Sequence, residues 1–254
     1  MASALIQGSL WDRRARDWTC LQEARHRPLR RALLGALAPL SGVRLLDVGC
    51  GVGLLLREAA DRGAWIAGVD AAAELLEVAR WALPDADLRV GMPEALPYDN
   101  GRFDVVTACH ALRYADDQPA ALAELVRVVR PGGRVAIGQW ADPDGCLTRD
   151  FLDRIGPAVA GPDLSARGAL EAHLHDAGMI RIDGSELDFP FTYPDLATAW
   201  SAMVARGCVG DALDIAGKDA VYEVFLDVFA PAVRADGSIH DENVFRYIVA
   251  GKPV

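Results

Sequence analysis

The sequence predicts an α/β fold, in which helices cover both faces of a doubly wound, mostly parallel β-sheet. Short apolar runs that are typical of buried strands alternate with helical segments over the first 140 residues. A glycine-rich turn joins the first of these strands to a helix that begins with three leucines. The chain has 254 residues, 52% of them hydrophobic, which suffices for the core of one such domain with an added segment.

The first strand–helix–strand unit contains the strongest local sequence signal for a ligand-binding site. An apolar strand at residues 44–48 runs into a glycine-rich turn at 49–53, and leucines at helical spacing follow at 54–61. Glycine lets the backbone turn sharply and lets a ligand approach the unpaired N–H groups at the start of the helix. A second apolar strand is predicted at residues 65–70.

The alternation continues along the chain. The predicted elements are, in order, a helix at 74–82, strands at 87–90 and 103–109, a helix at 119–129 and a strand at 134–140. Further along, a helix is expected at 164–177, and strands are expected at 180–187 and 244–249. Ligands of such a sheet bind at the carboxyl ends of its strands.

Three parts follow from this order of elements. Residues 1–40 are expected to form a helical segment over the cofactor site, and residues 41–188 with 243–254 form the core. Residues 189–242 are expected to form a helical insertion that acts as a substrate lid. Prolines and glycines interrupt this segment, but its apolar content is too high for a disordered linker.

The composition narrows the classes of function. A net charge of −10 argues against nucleic acid as a partner. The five cysteines are odd in number and lack a C-x-x-C pair, which argues against disulfides and zinc and fits a cytoplasmic protein. No metal site is expected at His173 and His175, because they face different sides of a helix and no third ligand accompanies them.

Membrane insertion is not expected either, because no apolar run reaches the roughly 18 to 20 residues that span a bilayer. The arginine-rich N-terminal segment carries Trp11 and Trp18 on one helical face. Two interpretations of that face remain open: a helix on a membrane surface, or a helix packed on its own domain. The oligomeric state is not predicted.

Two carboxylates indicate what the glycine loop binds. Asp47 precedes the loop, where its charge would repel a pyrophosphate and favour a cationic or amino-bearing ligand. The loop also departs from a dinucleotide-binding pattern, because Gly53 falls one position early and Leu54 stands in its expected place. Asp70 closes the second strand, where one carboxylate can accept both hydroxyls of a ribose. Taken alone, Asp70 also fits a helix-capping role.

Glycines, acids and apolar runs recur in five motifs, at residues 46–53, 68–70, 91–98, 101–106 and 125–135. In this order they resemble the motifs of class I S-adenosylmethionine-dependent methyltransferases, and most closely the ubiquinone/menaquinone-biosynthesis type and its small-molecule relatives. The resemblance covers residues 43–140. It implies a Rossmann-like fold, S-adenosylmethionine as cofactor and S-adenosylhomocysteine as product. It also implies methyl transfer to an oxygen, nitrogen or carbon of a small, partly apolar acceptor.

The resemblance further implies that the cofactor is bound by Asp47, Gly49, Cys50, Gly51, Asp70, Ala71, Met92, Pro93 and Cys109. Asp70 holds the ribose, and Ala71 and Met92 flank the adenine. The loop lines the methionine part, which the backbone carbonyl of Cys109 also contacts. At Met92 the chain departs from the family, whose acid accepts a hydrogen bond from the adenine amino group. Losing that bond weakens binding by about 1 to 3 kcal/mol, unless Glu94 or a backbone carbonyl substitutes.

Candidate acceptor-side residues follow the fourth strand. His110 is the best-placed group to take a proton from the acceptor, with a loop-shaping role as the alternative. Arg113 and Tyr114 stand where many relatives carry histidine, and could contact a carboxylate or carbonyl of the acceptor. Trp140 is either a pocket wall or a core residue. Tyr193, in the insertion, is either a substrate contact or a core residue.

Two rival functions remain open beside methyl transfer to a small-molecule acceptor. One keeps the fold and the cofactor without transfer, as in a cofactor-dependent cyclase or a ligand-binding protein. The other is a nicotinamide dehydrogenase, which Asp47 and Leu54 both oppose.

Overall fold

The computed structural model describes residues 26–141, 145–156, 164, 166 and 168–254. Its strands are β1 (Arg44–Val48), β2 (Trp65–Asp70), β3 (Asp87–Val90), β4 (Phe103–Cys109), β5 (Val129–Trp140), β6 (Ile180–Asp188), β7 (Phe191–Tyr193), β8 (Ile239–Asp241) and β9 (Val244–Gly251). Its α-helices are α1 (Arg27–Ala36), α2 (Leu54–Ala60), α3 (Ala73–Ala82), α4 (Gln118–Val128), α5 (Leu147–Ile155), α6 (Ala169–Asp176), α7 (Leu196–Val204), α8 (Gly207–Ala216) and α9 (Lys218–Phe229).

Seven strands form one sheet in the order β3-β2-β1-β4-β5-β9-β6. The first five strands of the chain pair in parallel, and β9 lies antiparallel between β5 and β6. This arrangement confirms the predicted α/β class with a mostly parallel sheet.

Apolar residues that alternate along each strand cover the two faces of the sheet. Leu46 and Val48 of β1 belong to a buried cluster that includes the apolar residues of α4 and α6. Leu45, beside Leu46 in the same strand, belongs to a second cluster with residues of α1, α2 and α3. Because successive side chains of a strand point to opposite faces, these clusters lie on opposite sides of the sheet. Helices on both sides explain why the strands are continuously apolar.

The structure differs from the expected elements at several points. β5 begins at Val129, directly after α4, whereas a strand was expected only from residue 134. The helix expected at 164–177 is the shorter α6, and α5 was not predicted. Of the expected N-terminal segment, the structure describes residues from 26 onward, so Trp11 and Trp18 lie outside the described residues. Within the described part of the chain, no helix is long and apolar enough to cross a bilayer.

The segment at residues 189–242, here called the insertion, is only partly helical. It contains α7, α8 and α9, but β7 and β8 also pair within it as an antiparallel ribbon. Its two ends are neighbours, because Asp188 of β6 is the register partner of Val244 of β9. The buried Asp241 carboxylate ties the insertion to α5, since it accepts a hydrogen bond from the Thr148 hydroxyl at 2.5 Å.

Candidate active site

A cleft opens at the carboxyl ends of the parallel strands, where the topology predicts a ligand. It is lined by all nine residues expected to bind the cofactor: Asp47, Gly49, Cys50, Gly51, Asp70, Ala71, Met92, Pro93 and Cys109. Three of the candidate acceptor-side residues also line it, namely His110, Tyr114 and Trp140. The other two candidates, Arg113 and Tyr193, are not among the residues that line the cleft. His26 and Arg30 complete the wall on the side of α1.

The loop between β1 and α2 is shaped by glycine. Gly49, Gly51 and Gly53 all have left-handed backbones, with φ of 74°, 53° and 79°. Gly49 is also confined, because a Cβ there would lie 2.5 Å from the Cβ of Ala111. Any side chain at Gly49 would therefore strain the backbone and displace the turn after β4.

The carboxylate of Asp70 is held in place by two backbone amides. Its Oδ2 accepts a hydrogen bond from the Gly51 amide at 2.8 Å, and its Oδ1 accepts one from the Ala72 amide at 2.9 Å. One carboxylate offers about four acceptor positions, so these two bonds orient the group without exhausting it. The geometry fits a diol at the mouth of the loop.

A second negative charge lies beneath the loop. Asp47 is 2% exposed, and its Oδ1 accepts a hydrogen bond from the Thr107 hydroxyl of β4 at 2.6 Å. A carboxylate in this position would favour a cationic ligand over a phosphate.

Glu94 does not replace the acid that is missing at Met92. Its Oε1 accepts hydrogen bonds from the amides of Asp116 and Asp117, at 2.6 and 3.3 Å. This carboxylate therefore supports the turn before α4, and it is not among the residues that line the cleft. Met92 itself lines the cleft with an apolar side chain.

His110 has an unusual backbone and a buried ring. Its φ of 61° makes it the one non-glycine residue with positive φ in the described part of the chain. Its ring lies 4.7 Å from those of His26 and Trp140 and 5.1 Å from that of Phe245, centroid to centroid. Neither ring nitrogen has a hydrogen-bond partner among the described residues. The imidazole thus faces the cleft from an aromatic enclosure.

The charge state of His110 follows from that enclosure. Burial lowers its pKa to about 3, and the guanidinium groups of Arg206 and Arg113 contribute to that lowering. The ring is therefore neutral at physiological pH. A neutral imidazole carries one N–H donor and one acceptor nitrogen.

The other candidate acceptor-side residues have diverse surroundings. Arg113 donates a hydrogen bond to Asp153 of α5 at 2.9 Å, which holds its guanidinium outside the cleft lining. Burial raises the pKa of Tyr114 to about 12, so this hydroxyl stays protonated. Trp140 lines the cleft, and its indole N–H donates to the Asn243 side chain at 2.9 Å. Tyr193 is fully buried in the apolar cluster of the insertion.

Sequence reasoning missed three residues at or near the cleft. His26 and Arg30 lie at the start of α1, and the guanidinium of Arg30 is 3.5 Å from the Glu58 carboxylate. Arg30 is only 6% exposed, although it stands in an arginine-rich segment that looks solvated in the sequence. Arg206 is fully buried between α7 and α8. The amphipathic pattern of residues 27–36 was a usable signal for α1, whereas no local pattern distinguishes Arg206.

A mostly parallel sheet with a glycine loop after β1 and a fixed carboxylate at the end of β2 is typical of Rossmann-like proteins that bind nucleosides. Comparison with known proteins narrows this class. Residues 46–137 match the family described as Methyltransferase domain. The chain is 32% identical over 223 residues to the nocamycin O-methyltransferase of Saccharothrix syringae, a match covering 82% of this chain and 71% of that protein.

Two further similarities agree with this family. The chain is 33% identical over 135 residues to the demethylmenaquinone methyltransferase of Renibacterium salmoninarum, covering 52% of this chain and 57% of that relative. The match therefore spans little more than half the length of that curated relative. The crystal structure of YcgJ from Bacillus subtilis has a similar fold, with a TM-score of 0.68 at 20% identity, covering 90% of this chain and 99% of that one. The chain belongs to the class I S-adenosylmethionine-dependent methyltransferases.

Proposed function

We propose that this protein transfers the methyl group of S-adenosylmethionine to an oxygen, nitrogen or carbon of a small, partly apolar acceptor. The observation that carries the proposal is the Asp70 carboxylate, fixed by two amides beside the glycine loop. Family membership supports it, since the relatives named above are methyltransferases.

The charges around the cleft match the parts of this cofactor. Asp70 would bind the ribose hydroxyls, and Met92 would pack against the adenine. Asp47 would offset the positive charge of the sulfonium and ammonium groups. Arg30, which lines the cleft from α1, would bind the carboxylate of the methionine part. When bound, the cofactor supplies a methyl group activated by a positively charged sulfur.

The protein's contribution to the reaction is mainly alignment. Methyl transfer requires the acceptor atom to approach the methyl carbon on the side opposite the sulfur, and fixed proximity supplies much of such a rate. His110, Tyr114 and Trp140 line the part of the cleft next to the end of β4 and β5. Their aromatic surfaces suit an acceptor with an apolar body, and they reduce the access of water to the reacting atoms.

Two measurements test this proposal. Calorimetry should detect stoichiometric binding of S-adenosylhomocysteine to the purified protein. Mass spectrometry should then detect S-adenosylhomocysteine formed from S-adenosylmethionine in the presence of a panel of small phenols, amines and activated carbon acids. Failure to bind S-adenosylhomocysteine would contradict the proposal. Binding without turnover across the panel would instead favour the cyclase or ligand-binding alternative.

Met92 provides a prediction in which binding improves. We expect Met92→Asp to bind S-adenosylhomocysteine about tenfold more tightly, because the new carboxylate accepts a hydrogen bond from the adenine amino group, and such a bond contributes about 1 to 3 kcal/mol. Met92→Leu is the matched control, and should leave the dissociation constant within about threefold of wild type because it only exchanges one apolar side chain for another. A Met92→Asp variant that folds but binds no more tightly would show that the adenine amino group lies elsewhere.

A further inference from the structure

Asn243 is a buried polar residue at the point where the chain leaves the insertion and enters β9. It is only 1% exposed. Its backbone carbonyl accepts a hydrogen bond from the Phe189 amide, at the other end of the insertion, at 2.6 Å. Its side-chain nitrogen donates to the Asp241 carbonyl at 3.0 Å. Asn243 therefore connects the two ends of the insertion.

The side-chain oxygen of Asn243 extends this connection to the wall of the cleft. It accepts hydrogen bonds from the indole N–H of Trp140 at 2.9 Å and from the thiol of Cys146 at 3.3 Å. An amide oxygen has two lone pairs, so these two bonds use its accepting capacity in full. The N–H is the one polar group of a tryptophan side chain, so this bond fixes how the ring is turned. Trp140 lines the cleft and Asn243 does not, which places Asn243 behind the wall.

The ring of Trp140 borders that of His110, at 4.7 Å between centroids. The backbone of His110 is held, because its amide donates to the Gly138 carbonyl at 2.7 Å. Its imidazole is not held in this way, since neither ring nitrogen has a hydrogen-bond partner among the described residues. Contacts with neighbouring rings therefore set the angle of the imidazole, and aromatic pairs favour particular relative orientations. The angle of His110 thus depends on Trp140, and that of Trp140 depends on Asn243.

We propose that Asn243 is a positioning residue for the acceptor side of the cleft, which fixes the indole of Trp140 and, through that ring, the imidazole of His110. This inference rests on the proposed function, which assigns both rings to the acceptor side. Asn243 itself contacts neither cofactor nor acceptor and takes no part in bond making. Replacing it should therefore change how the acceptor is held, and should leave cofactor binding nearly intact.

Nitrogen–proton correlation spectra of the purified protein test the positioning without any acceptor. Trp140→Phe identifies the indole signal of Trp140, and His110→Phe identifies the imidazole signals of His110. We expect Asn243→Leu to shift both sets of signals, because the indole N–H loses its acceptor and the ring turns. Thr148→Val is the matched control, since it removes a buried hydrogen bond to the neighbouring Asp241 without touching the indole, and it should leave both sets unchanged.

The second measurement follows binding and turnover. Asn243→Leu should bind S-adenosylhomocysteine within about threefold of wild type by calorimetry. With the panel member that wild type methylates fastest, kcat/KM should fall by at least about tenfold, because small displacements of an active-site wall misalign the acceptor. Thr148→Val should keep kcat/KM within about threefold of wild type. In a Trp140→Phe background, which has no indole N–H to hold, Asn243→Leu should have little further effect.

The inference is overturned if a folded Asn243→Leu variant leaves the signals of His110 unchanged, even where the signal of Trp140 moves. It is also overturned if that variant loses as much affinity for S-adenosylhomocysteine as it loses in kcat/KM, or if the Asn243 and Trp140 substitutions have fully additive effects. Should Asn243→Leu not fold, Asn243→Ser takes its place, because a serine hydroxyl is too short to reach the indole. If wild type binds no S-adenosylhomocysteine or methylates no panel member, the proposed function fails, whereas the spectra still decide whether Asn243 positions the two rings.

Discussion

Replacing Asp70 by asparagine should weaken S-adenosylhomocysteine binding by roughly 30-fold to 1,000-fold, equivalent to about 2 to 4 kcal/mol. The carboxylate accepts from the amides of Gly51 and Ala72, and would accept from both ribose hydroxyls. An amide group has one acceptor oxygen instead of two, so the substitution removes charge and half of these acceptor positions. Calorimetry with S-adenosylhomocysteine measures the change directly.

Two controls separate ribose binding from support of the loop. An analogue of S-adenosylhomocysteine that lacks both ribose hydroxyls should bind wild type and Asp70→Asn with similar affinity, because the contact that the substitution removes is absent from the ligand. Asp61→Asn, at an exposed acid that ends α2, should bind like wild type. If the analogue loses as much affinity as the parent ligand, Asp70 acts by holding the loop and does not bind the ribose.

Replacing Gly49 by alanine should destabilise the protein by about 2 to 5 kcal/mol and abolish cofactor binding. The left-handed backbone costs about 1 to 2 kcal/mol for a residue with a side chain, and the contact with Ala111 adds about 1 to 3 kcal/mol of overpacking. Both costs act on the loop that faces the ligand. Urea unfolding measures the first effect, and calorimetry with S-adenosylhomocysteine measures the second.

Gly42 offers a matched control, because its φ of 75° is almost the same as that of Gly49 but its Cβ would meet nothing within 4 Å. Gly42→Ala should therefore cost only the backbone strain, about 1 to 2 kcal/mol, and should bind the cofactor normally. The double variant Gly49→Ala with Ala111→Gly should recover the part of the stability that the contact removes. If Gly49→Ala and Gly42→Ala destabilise the protein equally, the contact with Ala111 is unimportant.

The parts of the fold that sequence predicts well are those that local physics determines. The strands Arg44–Val48 and Trp65–Asp70 are apolar runs between turn signals, and the structure has both with these bounds. The glycine loop is equally local, since its left-handed conformations require glycine at closely spaced points of one turn. The same holds for the clustering of predicted cofactor residues, because parallel strands bring their carboxyl ends to one edge.

Other features depend on contacts between distant parts of the chain. The ribbon of β7 and β8 joins segments separated by three α-helices, and neither strand is longer than three residues. The burial of Arg206 results from how the insertion packs on Trp140, and an arginine in a sequence is normally expected at the surface. The position of Tyr193 could not be predicted from sequence either, because an aromatic side chain fits a pocket wall and a core equally well. In the structure it belongs to a buried apolar cluster.

The closeness of the two ends of the insertion has a consequence for how this protein can change over evolutionary time. Asp188 and Val244 are register partners in neighbouring strands, so the chain leaves the sheet and returns to it at one place. Residues can be gained, lost or exchanged between these points while the register of β6 and β9 stays intact. The glycine loop and Asp70 lie outside that span. Selection can therefore alter the length and sequence of the insertion without rebuilding the glycine loop or the carboxylate at the end of β2.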